Sequence, residues 1–424
     1  MAFLTIKRID VAGNAYSLAT CFALLGSAVY IYSQSFAVGT IVVLIGGLFL
    51  AISKLRMNAV VDKNDIPAYV ALITLFILSA IALAVYGTYP NAQYLKSFVF
   101  NLLAFISIST VFWKRFEYIN KGVVWFLLII LIVAMLQAGY LFWGVGLDPV
   151  SANAADYVAE NAYSYSGVRS IFTNPNDLSL VCCLLMVYFT QISPVSERIK
   201  MVIVASLAAV IVLSASRTCI FVAAIVVGLY YLKKPRQWIV FAICLAVLWL
   251  SLSAAADSGG TGVLNTYWGR KIASISTIAT NYVDGGIRNV SDGSVDQRSA
   301  GYRQFLTKFD EIGIGSFKAQ DYSYLMKGDV LFQADPHSLP IEMSLLYGYV
   351  GLVVFIIYMW WVFSSLMRSA GIMRSLSFTF IFFLLTFVSS SEINFPSFWI
   401  VTFLIVFGSR WRKEHKIYLG ERVA

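Results

Sequence analysis

Histidine is almost missing from this chain: its 424 residues include two, His337 and His415, and His415 sits in a charged tail. Base chemistry at neutral pH therefore falls to His337 or to a carboxylate. Charge is also scarce. Asp, Glu, Lys and Arg make up 12% of the chain against 59% apolar residues, and mean hydropathy is +0.77. A soluble domain could not hide so much apolar surface, so the composition predicts an all-α polytopic membrane protein. The five cysteines, Cys21, Cys182, Cys183, Cys219 and Cys244, all fall in apolar runs, which leaves the loops without a disulfide framework. No His, Cys and carboxylate set has metal-ligand spacing, so neither a metal nor another cofactor is expected. The first apolar run has no small-residue cleavage site and is expected to begin the bundle rather than act as a removable signal.

Hydropathy predicts twelve spans, near residues 15–32, 36–53, 66–87, 95–113, 122–143, 171–192, 199–214, 216–232, 237–255, 338–364, 374–390 and 396–410. Most of the 31 Lys and Arg residues fall in alternate connections, including Lys54, Arg56, Lys114, Arg115, Lys233, Lys234 and the tail from Arg410. By the positive-inside rule that side is cytoplasmic, with both termini on it. The net charge of +9 then reports topology, and nucleic acid is not an expected partner. Residues 1–424 read as one membrane domain with two elaborations on the far side. The first, 144–170, carries Tyr157, Tyr163 and Tyr165 and reads as partly interfacial. The second, 256–337, is too long for a structureless connection. Within it Tyr302, Phe305, Leu306 and Phe309 have helical spacing, with Arg298 and Arg303 on the flanks. No internal repeat suggests a transporter built from inverted halves.

Three helix starts lie on the far side. Asn174-Pro175-Asn176-Asp177 opens the sixth span, just after Arg169. Ser214-Ala215-Ser216-Arg217 opens the eighth, and His337-Ser338-Leu339-Pro340 opens the tenth. Each offers unpaired backbone N–H groups and the positive end of a helix dipole. Were they to converge with Arg169, Arg217, Arg298 and Arg303, they would form an anion pocket suited to a diphosphate. Each arginine has a plainer reading as well: Arg217 as a snorkelling interfacial side chain, Arg298 as a solvated loop charge. Ser338 can cap the tenth helix, and Pro340 is tolerated only in its first turn. A helix start beside His337 disfavours imidazolium and keeps the ring a competent base. Glu342 is a second candidate base, but as a membrane-embedded carboxylate it is expected to pair with an arginine.

Phe172 to Asn176, Ser214 to Thr218, Arg298 to Tyr302 with Glu311-Ile312-Gly313-Ile314-Gly315, and His337 with Glu342 and Gly348 to Gly351 together resemble the O-antigen ligase and polymerase superfamily. The motifs span residues 167–352 in that family's order. Ser338 departs from the pattern, since many members have Asn after the histidine.

The resemblance implies a multi-span, GT-C-like, metal-independent glycosyltransferase. It implies a donor, undecaprenyl-diphosphate-linked O-antigen, and an acceptor, lipid A-core oligosaccharide, meeting at the periplasmic face of the inner membrane among membrane lipids. His337 is the expected catalytic base. Arg217, Arg298, Arg303, Arg169, Asn174 and Asn176 are expected to bind the diphosphate, with Glu342 and Ser216 in support. The far-side loops hold no Asp-x-Asp motif, which argues against metal-dependent protein glycosyltransferases. A polymerase or a protein O-oligosaccharyltransferase of the same superfamily is the nearest alternative. A lipid-linked glycan flippase is an alternative of another class, weakened by the scarcity of ionisable residues at mid-membrane.

Overall fold

Helices here begin and end where Pro, Gly and short polar residues interrupt apolar runs. The computed structural model describes residues 11–29, 62–110, 116–143, 145–147, 168–172, 174–214, 216–231, 302, 305–307, 309–318, 338–386, 393 and 395–418. The described helices are α1 (Val11–Val29), α2 (Ile66–Tyr86), α3 (Tyr89–Thr110), α4 (Phe116–Trp143), α5 (Pro175–Gln191), α6 (Glu197–Ser214), α7 (Arg217–Tyr231), α8 (Leu339–Ala370), α9 (Ile372–Leu385) and α10 (Pro396–Tyr418). Short 3-10 turns occupy Lys63–Asp65 and Phe309–Glu311, and no strand occurs among the described residues. Proline stands in the first turn of α2, α5 and α8, where its missing N–H has no helical partner to lose.

The chain is a helical membrane protein, and α2 shows why. Ala68, Ala71, Leu72, Leu75 and Ala82 are buried, while Ile66, Val70, Ile73, Ile77 and Val85 face outward. A helix apolar on both faces needs protein on one side and lipid on the other. Four segments are long and apolar enough to cross a bilayer: Lys63–Tyr86, Pro90–Ser109, Phe116–Tyr140 and Leu339–Ala370. That is fewer than the twelve spans read from hydropathy. Two of those, 36–53 and 237–255, lie outside the described residues. Other helices fall short by length or polarity. At 17 residues with Asn176, Asp177, Ser179 and Gln191, α5 is almost wholly enclosed by other helices, so lipid does not select its composition.

The core is organised around α10, which packs on α1, α3, α5 and α8. Phe105 of α3 meets Trp361 of α8 at 5.4 Å and Phe403 of α10 at 5.0 Å, edge to face. Without a hydrophobic drive between helices in lipid, such packing and buried hydrogen bonds hold the bundle together. At the end bearing the α2 start, called here the tail end, Arg410 grips Asp65 through two nitrogens at 2.5 and 2.9 Å. Trp361 Nε1 donates to the same carboxylate at 3.1 Å, and Arg410 also donates to Ser365.

One helix is broken. Gly348 inside α8 has φ 65° and ψ −153°, which separates a first segment, starting at Leu339, from the remainder. Loop residues 313–317 dock into the break. Ser316 and Phe317 donate their N–H groups to the carbonyls of Leu345 and Leu346, each at 2.9 Å, and Tyr349 donates to Gly313 O at 3.1 Å. Backbone groups that the break would orphan are thereby satisfied.

Candidate functional site

At the end opposite the tail stand the starts of α5 and α8, the end of α6 and the turn 168–172. The turn is held by α4. Gln137 Oε1 accepts from the N–H groups of Arg169 and Ser170 at 3.0 and 2.7 Å, and its Nε2 donates to Ser170 O at 2.9 Å. Ser170 takes a left-handed φ of 52°, and its hydroxyl donates to Ile130 O at 2.9 Å. A non-glycine residue keeps such a conformation only where its surroundings over-determine it. Arg169 is thus presented from a fixed turn, and it is buried.

Five residues after Arg169, Asn174 is the N-cap of α5, its side chain accepting from Asn176 N at 2.8 Å. Its oxygen therefore has a structural duty that residue type alone could not separate from ligand binding. One turn into α5, the hydroxyls of Ser179 and Ser214 bond, joining the start of α5 to the end of α6. Ser216 is buried beside them and precedes Arg217, the first residue of α7. Phe172 packs edge to face on Phe395, 6.0 Å away, which brings the turn against the approach to α10.

The first segment of α8 forms the other flank. Ser338 occupies the N-cap position, but its side chain makes no capping bond, contrary to the expectation from sequence. The chain is pinned there instead by Leu339 N donating to Thr386 O at 2.9 Å, which ties the α8 start to the end of α9. Glu342 is 1% exposed, and Tyr94 of α3 donates to its Oε1 at 2.7 Å. A tyrosine thus donates to this carboxylate among the described residues. Tyr347, one turn on, bonds Ser79 of α2 at 2.5 Å. Asn91 of α3 donates to Phe317 O at 3.2 Å, closing the loop segment over this flank.

Arg169, Asn174 and Ser216 thus stand at the same end of the bundle, and Glu342 is buried where α8 meets Tyr94 of α3. His337, Arg298 and Arg303 lie outside the described residues, as does the side chain of Arg217. Of the expected apolar face in the large loop, Phe305 packs with Ile312, Ile341 and Leu345, with Tyr302 at its edge, while Leu306 points outward. Sequence reading missed Gln137, Tyr94 and Asn91. Gln137 could have been found as the lone polar residue in an apolar run; the other two look like ordinary interfacial residues. Among the described residues no three His, Cys, Asp or Glu side chains are grouped to hold a metal ion.

Residues 202–356 match the family model described as O-Antigen ligase. The match is consistent with the O-antigen ligase superfamily. No curated protein matches the chain. The matched segment runs from α6 through the large loop to just beyond the break in α8. It therefore includes Ser216, Arg217, Arg298, Arg303, His337 and Glu342, while Arg169, Asn174 and Asn176 precede it. Members of this superfamily are ligases and polymerases of the glycosyltransferase type, which supports an enzyme in general terms.

Proposed function

We propose that the protein is an O-antigen ligase of the bacterial inner membrane, with a periplasmic active site and both termini in the cytoplasm. In this reading it moves O-antigen polysaccharide from undecaprenyl diphosphate to a sugar hydroxyl of lipid A-core. The observation that carries the proposal is the O-antigen ligase family match, which covers the starts of α7 and α8 and the loop between them.

The chemistry needs a base and a grip on the leaving group. The acceptor hydroxyl oxygen bonds to the anomeric carbon as the bond from that carbon to the diphosphate oxygen breaks. The hydroxyl proton passes to His337, and undecaprenyl diphosphate departs with the bonding pair. Arg217, Arg298, Arg303 and Arg169 meet its charge through planar guanidinium forks, aided by the N–H groups at the α5 and α7 starts and by Asn174 and Asn176. Glu342 and Ser216 support the site from behind. The step is an in-line displacement, inverts the anomeric centre and needs neither metal nor nucleotide.

Purified protein supplied with lipid-linked O-antigen and lipid A-core should glycosylate the lipid A-core in excess EDTA, without ATP, giving the inverted linkage. Extension of the lipid-linked donor, with lipid A-core untouched, would move the protein to the polymerase reading. Loss of activity in EDTA with rescue by magnesium or manganese would overturn the arginine mechanism.

A further inference from the structure

A cavity of about 910 Å³ opens at the tail end of the bundle, where α5 and α7 finish and α6 and α9 begin. It is separate from the proposed active site: α5 starts at that site and reaches the cavity with Gln191 after 17 residues, about 25 Å of helix. The cavity is two-toned. Its rim carries Arg374 and Arg412, with the hydroxyl groups of Thr190 and Ser377 beside them. Its lower walls are apolar, formed by Val226 and Leu229 of α7 and by Phe378 and Ile381 of α9.

Charge decides what this shape can take. The one carboxylate on the rim, Glu197, is engaged by Lys200 at 2.9 Å and by the Tyr230 hydroxyl at 3.1 Å. Arg374 is exposed and forms none of the ion pairs among the described residues. Arg412 donates to Gln191 O and lines the same rim, where its charge also acts on Glu197. Two positive charges thus stand above an apolar trough at the level of the helix ends, where a bilayer presents its phosphates.

We propose that this cavity binds the headgroup of an anionic phospholipid from the leaflet at the tail end. Arg374 and Arg412 hold the phosphate, Thr190 and Ser377 bond to headgroup oxygens, and the acyl chains lie along the apolar faces of α7 and α9. Basic clefts between spanning helices select anionic lipids by this combination of charge and apolar wall.

Native mass spectrometry of the full-length protein, delipidated in neutral detergent and then offered lipid, tests the assignment. Wild type should retain one phosphatidylglycerol with about tenfold preference over phosphatidylcholine. The Arg374→Gln/Arg412→Gln protein should lose that preference. Because Arg412 also supports the end of α5, Arg374→Gln alone provides the second test and should weaken the preference several-fold with an unchanged melting temperature. An Arg374→Gln protein that keeps the wild-type preference overturns the proposal, as does equal retention of both lipids by wild type. Binding of inorganic phosphate that excludes phosphatidylglycerol would make the cavity an oxyanion site and would also overturn it.

Discussion

Tyr94 and Glu342 meet at 2.7 Å across the packed faces of α3 and α8, and each is 1% exposed. The carboxyl group thereby ties the segment that follows His337 to a helix far away in sequence. A buried acceptor that loses its donor costs roughly 1–3 kcal/mol, and more when the group is charged.

Tyr94→Phe removes the hydroxyl and keeps the ring. It should lower the apparent melting temperature in detergent and reduce glycan transfer, because the first segment of α8 loses an anchor. An unchanged melting temperature would mean that the hydrogen bond does not hold this segment.

Gly348→Ala and Gly371→Ala form a matched pair. Both glycines have left-handed φ, 65° and 83°. A Cβ at Gly348 would strike the Gly313 carbonyl and the backbone of Ile314, whereas a Cβ at Gly371 meets nothing within 4 Å. Each change carries a backbone cost on the order of 1–3 kcal/mol. Gly348→Ala should in addition expel the docked loop and abolish transfer, while Gly371→Ala keeps most activity. Equal losses in thermal scans and transfer assays would contradict the docking.

Much of the helical frame was legible because Pro175, Pro340 and Gly371 interrupt apolar runs where helices start or stop. The broken α8 was not. Gly313-Ile314-Gly315 and Gly348 to Gly351 were visible as separate motifs, but their mutual fit is a tertiary fact: Gly315 stands against Gly348 with no room for a side chain on either. Asp65 follows the basic connection with Lys54 and Arg56 in sequence, and nothing local marks its burial under Arg410. Site residues were legible by type and position. Their duties were not, since Asn174 caps its own helix and Glu342 accepts a hydrogen bond from Tyr94 of a distant helix.

Arg410→Lys tests the tail-end clamp. A lysine can supply the charge but not the planar fork that meets both oxygens of Asp65. Breaking a buried ion pair by losing one partner costs about 3–5 kcal/mol, and an imperfect replacement should recover only part of that. Apparent melting temperature should therefore fall for Arg410→Lys and further for Arg410→Ala. Wild-type stability in Arg410→Lys would show that the charge alone suffices.

Arg217→Lys and Arg298→Lys separate charge from geometry at the proposed donor site. If these arginines hold a diphosphate through paired N–H bonds, each lysine protein should bind undecaprenyl diphosphate at least several-fold more weakly. Wild-type affinity in both would assign these arginines to topology or loop structure.

In the proposed reaction His337 takes the acceptor proton. The rate of glycan transfer from lipid-linked O-antigen to lipid A-core by folded, membrane-inserted His337→Ala protein tests it most directly. General-base removal typically costs roughly a hundred- to ten-thousand-fold, so transfer should fall by that range with donor binding retained. Transfer at the wild-type rate would contradict it.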